Sequence, residues 1–463
     1  MSSDRAPDER SSPHTVARSC IDGGIEAAHP ATVVGDSVSL TGDELTVDGT
    51  VYDLSSYEDV VVLGGGNAAG KVTAALESVL GERLTDGVVV TDVPEPTSTV
   101  DVVDGSHPVP NERGLAGAER VLDRAGEATA DTLVLGVVTG GGSALLPAPA
   151  GDVTLDDLQT VTDDLLGSGA TIHEINAVRK HLSAIKGGRL AAAAAPATVV
   201  GLVFSDVVGD DLDVIASGPL VPDASTYADA LDVVDRYDVA LPPRVEHHLE
   251  RGVDGDIAET PAPGADAFAT VDTHVLANGL TALTAAGNVA ADHGYTPLVL
   301  SSRVRGEARE AAKTHVGIAE EIHATGHPIA PPAVVLSGGE TTVTLSDDAG
   351  AGGPNQEFAL SAAIELDADA DVVVGSVDTD GIDGASDAAG AIVDGETTER
   401  TSMDARTALA ANEASPFLEA AGALVETGPT GTNVNDLRVL VVADAEEGGE
   451  SGPRSDCSQG PLQ

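Results

Sequence analysis

The sequence predicts an α/β protein of two domains, the first built on a mostly parallel sheet covered on both faces by helices. Two observations predict it. Short apolar runs without polar alternation recur along the chain, as strands buried on both faces require, and they alternate with Ala-rich segments of helical period. A polar stretch rich in Pro and Gly at 241–268 then interrupts this rhythm, separating a first domain at 16–240 from a second at 269–445. A chain of 463 residues accommodates both at ~100–200 residues per domain.

Residues 1–15 are polar and are expected to be disordered, as are residues 446–463, which read as a loose tail. A short amphipathic helix is expected over 17–28, then a hairpin over 37–52 with turn signals at Thr41-Gly42-Asp43 and Asp48-Gly49. The βα rhythm begins with a strand at 59–63, a glycine turn and a helix over 67–80. Strands at 87–91, 132–138 and 198–204 and helices at 155–168 and 174–195 complete the first domain. The second is expected to contain strands at 270–277, 296–300, 333–337, 341–345 and 371–377 and helices at 279–293, 306–325 and 356–365. No internal repeat is visible.

Asp and Glu number 76 against 23 Lys and Arg, a formal net charge of −53. Nucleic acid and anionic membranes both need a basic footprint, so neither is an expected partner. The acids are dispersed among apolar segments rather than in blocks, which favours a folded chain. The composition resembles that of proteins from salt-accumulating haloarchaea, where molar salt screens such self-repulsion. An exposed acid therefore carries little information, whereas the four lysines carry more. Two cysteines, Cys20 and Cys457, exclude a disulfide framework, and no apolar run is long enough to span a bilayer. The N-terminus lacks an apolar signal core, and the expected compartment is the cytoplasm.

Six segments could carry chemistry. Gly64-Gly65-Gly66-Asn67-Ala68-Ala69-Gly70-Lys71-Val72 follows a strand and half-matches two motifs. It resembles a P-loop with Val72 in place of the magnesium-binding Ser or Thr, and a dinucleotide fingerprint through Gly64, Gly66 and Ala69. A plain strand-to-helix turn would need the same glycines; Lys71, in a chain that avoids lysine, favours an anion site. Gly140-Gly141-Gly142-Ser143 follows the 132–138 strand and allows close backbone approach to a ligand. The 176–189 segment gathers Arg179, Lys180, Lys186 and Arg189; on one continuous helix, Arg179, Ser183 and Lys186 share a face. Asp206 closes the 198–204 strand, where it could orient a hydroxyl or hold a metal. Glu340 sits in a Gly-Gly-Glu turn, ahead of Asn355, Gln356 and Glu357. Asp378, Asp380 and Asp383 form a glycine-containing carboxylate loop suited to Mg²⁺. Asn433 alone would be a turn residue, and the scattered histidines offer no zinc spacing.

Taken in order, these segments resemble the class II glycerate kinase family, whose C-terminal part is a MOFRL domain. The resemblance rests on TGGGSALL at 139–146, INAVRKHLSAIKGGRLA at 175–191, SDVVGDDLDVIASGPLVPD at 205–223, LSGGETTV at 336–343, GGPNQEFAL at 352–360, DTDGIDG at 378–384 and GPTGTNVNDL at 428–437. It spans about 17–443 and implies a larger Rossmann-like domain, a smaller C-terminal α/β domain and a site in the cleft between them. It also implies ATP-dependent phosphorylation of D-glycerate on the 2-hydroxyl. Lys71 matches the family's important lysine. The chain departs from the pattern at Pro354, where many relatives have Arg. On this reading Lys71 and Asp206 are catalytic. ATP and D-glycerate meet Gly65, Gly66, Asn67, Gly140, Gly141, Gly142, Ser143, Arg179, Lys180, Lys186, Glu340, Asn355, Gln356, Glu357 and Asn433, and Mg²⁺ meets Asp378, Asp380 and Asp383. Homodimerisation is left open. The rival reading is an NAD(P)H-dependent hydroxypyruvate reductase, resting on the 64–69 fingerprint; a non-catalytic acidic binding protein is a third.

Overall fold

A computed structural model describes residues 11–346, 349–368 and 370–444; the expected tail at 446–463 and most of the expected disordered N-terminus lie outside them. A small antiparallel sheet holds β1 (Val38–Thr41), β2 (Glu44–Val47) and β3 (Thr50–Asp53), one strand more than the expected hairpin. The first large sheet holds β4 (Asp59–Gly65), β5 (Asp86–Thr91), β6 (Asp101–Asp104), β7 (Thr132–Thr139), β8 (Thr198–Phe204) and β9 (Val271–Ala277). The second holds β10 (Thr296–Val304), β11 (Ala333–Gly339), β12 (Val372–Asp378), β13 (Gly390–Asp394), β14 (Leu424–Val425) and β15 (Asp436–Val442).

The first sheet is parallel throughout, in the order β6-β5-β4-β7-β8-β9. This is a doubly wound order, and its direction reverses between β4 and β7. Strand β7 is buried along its whole length, which is why Thr132–Thr139 reads as an unbroken apolar run. Apolar clusters cover both faces, one containing Val60, Val62, Leu76 and Leu135, the other Val61, Leu63, Val134 and Leu190.

The second sheet runs β10-β11-β15-β12-β13-β14. Only β10 and β11 are parallel; the other pairs are antiparallel. The expected strand at 341–345 is reduced to a single bridge between Thr342 and Glu307. Strand β15, absent from the sequence reading, occupies the centre.

Two expected boundaries move. Helix Pro13–Ala28 begins inside the stretch expected to be disordered, because the Ser12 hydroxyl accepts from the Thr15 amide and Pro13 fits the first turn. Its apolar face, including Val16, Cys20 and Ile21, packs against Leu336, Leu437 and Val439 of the second sheet. Helix Pro13–Ala28 therefore belongs to the second body. The expected linker at 241–268 is also largely structured. Helix Pro243–Val253 buries Val245 and Leu249 against Tyr227 and Val234, and β9 completes the first sheet. The first body thus extends to Ala277.

Candidate active site

The loops after β4 and β7 meet at the point where the sheet order reverses, the place where doubly wound folds bind ligands. Their glycines are needed for contact with each other. A Cβ on Gly66, where φ is +139°, would lie 2.6 Å from the Thr139 carbonyl oxygen; one on Gly141, at φ +74°, would lie 2.6 Å from Asn67 Cγ. The Asn67 amide donates to the Gly140 carbonyl at 2.8 Å, and the Ala68 amide to Thr139 Oγ1 at 3.2 Å. The 64–70 turn, expected to cradle an anion, thus uses its leading amides to hold the neighbouring loop. The helix behind it runs Ala69–Leu80.

A cavity of about 650 Å³ opens beside these loops. Gly141 and Ser143 line it, with Arg179, Ser183, Lys186, Asp206 and, from the second body, Glu340. The cations do not come from one helix. Helix Ile172–His181 starts with a Thr171–Glu174 capping box and stops because Ser183 pairs with Pro149. Gly187 and Gly188, both at positive φ, then turn the chain into helix Arg189–Ala194. The expected helix at 174–195 is broken, yet Arg179, Ser183 and Lys186 still converge on the cavity.

Lys186 is buried, and Nζ donates to the Leu146 carbonyl at 2.8 Å. Burial, then the adjacent Arg179 guanidinium, pushes its pKa down to about 7. Burial likewise lowers Arg179. Lys180, expected at the site, turns away. It is 2% exposed and pairs with Asp213 and, at 3.3 Å, with Asp223, so it anchors the wall rather than meeting a ligand.

Ser143 Oγ lies 2.8 Å from Ser217 Oγ, which donates to Asn176 Oδ1 at 2.9 Å. Ala216 and Ser217 hold φ of +50° and +61°, rare for side-chain-bearing residues, so backbone strain is stored at the cavity wall.

Asp206 follows β8, and a Cβ on Gly140 would lie 2.5 Å from its Cγ. Burial and then Glu340 raise the Asp206 pKa to about 6. Glu340 follows β11 and is itself raised by burial and by Asp436. The register sets Gly339 opposite Asp436 and Asp436 opposite Asp378, so one end of the second sheet carries a row of acids. Asp436, which sequence reasoning missed, accepts from Asn355 Nδ2 at 2.6 Å, the Thr341 amide at 3.2 Å and Arg438 Nη2. Asp378 is raised by burial and by the crowding of Asp380 and Asp436, and Asp380 by burial.

Several expected ligand residues have other partners. Asp383 accepts from the Asn355 and Gln356 amides at 3.0 and 2.8 Å, capping helix Pro354–Glu365. Asn355 is held by Asp383, Asp436 and Ser376; Gln356 bonds Ser386; Glu357 pairs with Arg309 at 2.7 Å. All three are buried. Asn433 Oδ1 accepts from the Asn435 amide, a turn contact. Lys71 does not line the cavity; Nζ crosses to the second body and donates to the Thr430 carbonyl at 3.2 Å.

Among the described residues no group of three His, Cys, Asp or Glu converges as a preformed metal cage. Magnesium is commonly held by one or two carboxylates together with substrate phosphates. Asp378 and Asp380, crowded and raised, fit that role; Asp383, with both oxygens used by the helix, does not. Among the described residues no helix is long and apolar enough to cross a membrane.

A model of the DUF4147 family, a domain of unknown function, matches residues 16–250, and the MOFRL family matches 333–436. The chain is 38% identical to a "Glycerate 2-kinase" of Pyrococcus horikoshii, covering 90% of this chain and 94% of that protein. It is 43% identical to a "Putative hydroxypyruvate reductase" of Agrobacterium vitis, covering 82% and 99%. A crystal structure of a Thermotoga maritima glycerate kinase superposes with a TM-score of 0.82 at 37% identity, covering 93% of this chain and 99% of that one. This chain belongs to the class II glycerate kinase family.

Proposed function

We propose that the protein transfers the γ-phosphoryl group of ATP to the 2-hydroxyl of D-glycerate, giving 2-phosphoglycerate and ADP. The observation that carries this reading is one cavity that sets two cations, the half-buried Arg179 and the buried Lys186, against Asp206 and Glu340. Phosphoryl transfer is mostly positioning and charge compensation, and both are stronger away from water. Arg179 and Lys186 neutralise anionic oxygens, and Lys71, outside the cavity wall, ties the neighbouring helix to the Thr430 loop of the second body. An anion beside Lys186 restores its proton. Asp206, ionised above about pH 6, accepts the hydroxyl proton as the oxygen attacks phosphorus. Gly140 leaves room for that carboxylate, and Ser143 is fixed by Ser217. Asp378 and Asp380 would hold Mg²⁺, which supplies charge compensation to the phosphates when bound. An ATP-consuming step of this kind suits the cytoplasm.

The Agrobacterium relative's name keeps the reductase reading in view. Against it, the Asn67 and Ala68 amides that would receive a pyrophosphate are bonded to the neighbouring loop. The two are separated by parallel assays in molar KCl, one with ATP, Mg²⁺ and D-glycerate, the other with NADH and hydroxypyruvate. ADP formation in the first is expected. NADH oxidation in the second, without ADP in the first, would overturn the kinase.

A further inference from the structure

The cavity is far larger than its proposed acceptor substrate. At about 30 Å³ per water-sized group, its 650 Å³ holds about twenty such groups, and a three-carbon acid fills a small part. Its two ends also differ in chemistry. The inner end carries Arg179 and Lys186; the mouth carries Val109, Leu166 and Ile172, which are 51%, 59% and 45% exposed. Among the described residues nine large apolar side chains are at least 45% exposed, and three of the nine border this one opening. Leaving them in water is unfavourable, and a flat apolar group placed between them would remove that exposure.

Gln159 stands at the same mouth. Its Nε2 donates to the Pro110 carbonyl at 2.7 Å. A carbonyl oxygen can only accept, so the nitrogen faces Pro110, and the amide orientation is fixed. That bond leaves the amide Oε1 unused, an acceptor on a residue that lines the cavity from the helix Leu155–Gly167. An exocyclic amino group satisfies such an acceptor; an exocyclic carbonyl does not.

We propose that the mouth between Val109, Leu166 and Ile172 binds the purine base of the nucleotide, with Gln159 Oε1 accepting from the adenine amino group and the phosphates directed inward to Arg179 and Lys186. This rests on the kinase reading and deepens it. Gln159 is then the residue that selects ATP over GTP, whose six-position oxygen would face the Gln159 oxygen.

The test is calorimetric binding of ATP and GTP to the whole protein in molar KCl, with KM values for ATP and D-glycerate alongside, for wild type, Leu166→Ser and Gln159→Leu. Leu166→Ser is expected to weaken ATP binding about tenfold, the scale of lost apolar groups in a pocket, and to leave the KM for D-glycerate in place. Gln159→Leu is expected to cut the preference for ATP over GTP about fivefold or more, an effect a merely structural role would not produce. Unchanged ATP affinity in Leu166→Ser, or unchanged ATP/GTP preference in Gln159→Leu, overturns the proposal. A rise in the D-glycerate KM alone overturns it too, since the mouth would then serve the acceptor. Wild-type protein that binds ATP but does not phosphorylate D-glycerate refutes the kinase reading, while the variants' binding still judges the base site.

Discussion

Replacing Lys186 by Met should stabilise the ligand-free protein while removing its activity. The ammonium is buried beside Arg179, and the pKa falls from 10.5 to about 7. At ~1.4 kcal/mol per pH unit, holding it charged costs the folded state about 5 kcal/mol. Against this stands the bond to the Leu146 carbonyl, whose loss leaves a buried acceptor unpaired at about 1–3 kcal/mol. Met matches the length of the stem, so little packing is lost, and the net expectation is a gain of about 2–4 kcal/mol. The pH dependence gives the sign. Below pH 7 both folded and unfolded chains carry the proton, and the full cost is present. Between about pH 7 and 10.5 only the unfolded chain carries it, so wild-type stability rises with pH and the advantage of the variant shrinks. Urea unfolding of both proteins at fixed high salt, at pH 7 and pH 10, measures this. A variant less stable than wild type at pH 7, or one with wild-type turnover, would refute the reasoning.

Other outcomes follow from the same geometry. The raised Asp206 should give kcat/KM an acidic limb near pH 6, falling as the carboxylate is protonated, and Asp206→Asn should flatten it. Gly140→Ala pushes a methyl group against Asp206 without backbone strain, so kcat should fall about a hundredfold with little change in the melting temperature; near-normal kcat would remove Asp206 from the reaction. Lys180→Met strands the buried Asp223, and should cost about 3 kcal/mol in denaturant unfolding; a neutral result would show the pair to be dispensable.

The central strands of the first sheet were legible because they are buried on both faces, so 198–204 in the reading coincides with β8, whereas the half-exposed edge strand β6 was not read. The glycine loops and Asp206 were legible as points where strands stop. Other features depend on contacts the local sequence does not reveal. The 174–195 segment has helical composition throughout, yet a bridge from Ser183 to Pro149 breaks it. Strand β15 runs unbroken through Arg438, fully buried against Asp436 and over the Phe358 ring, but in the sequence that charge cuts its apolar run to 439–442. With β15 hidden, Asp436 had no strand end to mark it. Asn355, Gln356 and Glu357 stand in a motif-like row, but the buried helix that carries them turns them to internal partners. Lys180 and Lys186 look alike in sequence; only the fold separates the anchor from the cavity cation.

The most direct measurement is the identity of the phosphorylated product, resolved by ³¹P NMR after incubating the protein with D-glycerate, ATP and Mg²⁺ in molar KCl. The account predicts 2-phosphoglycerate. Formation of 3-phosphoglycerate, or of no phosphorylated glycerate by folded protein, would contradict it.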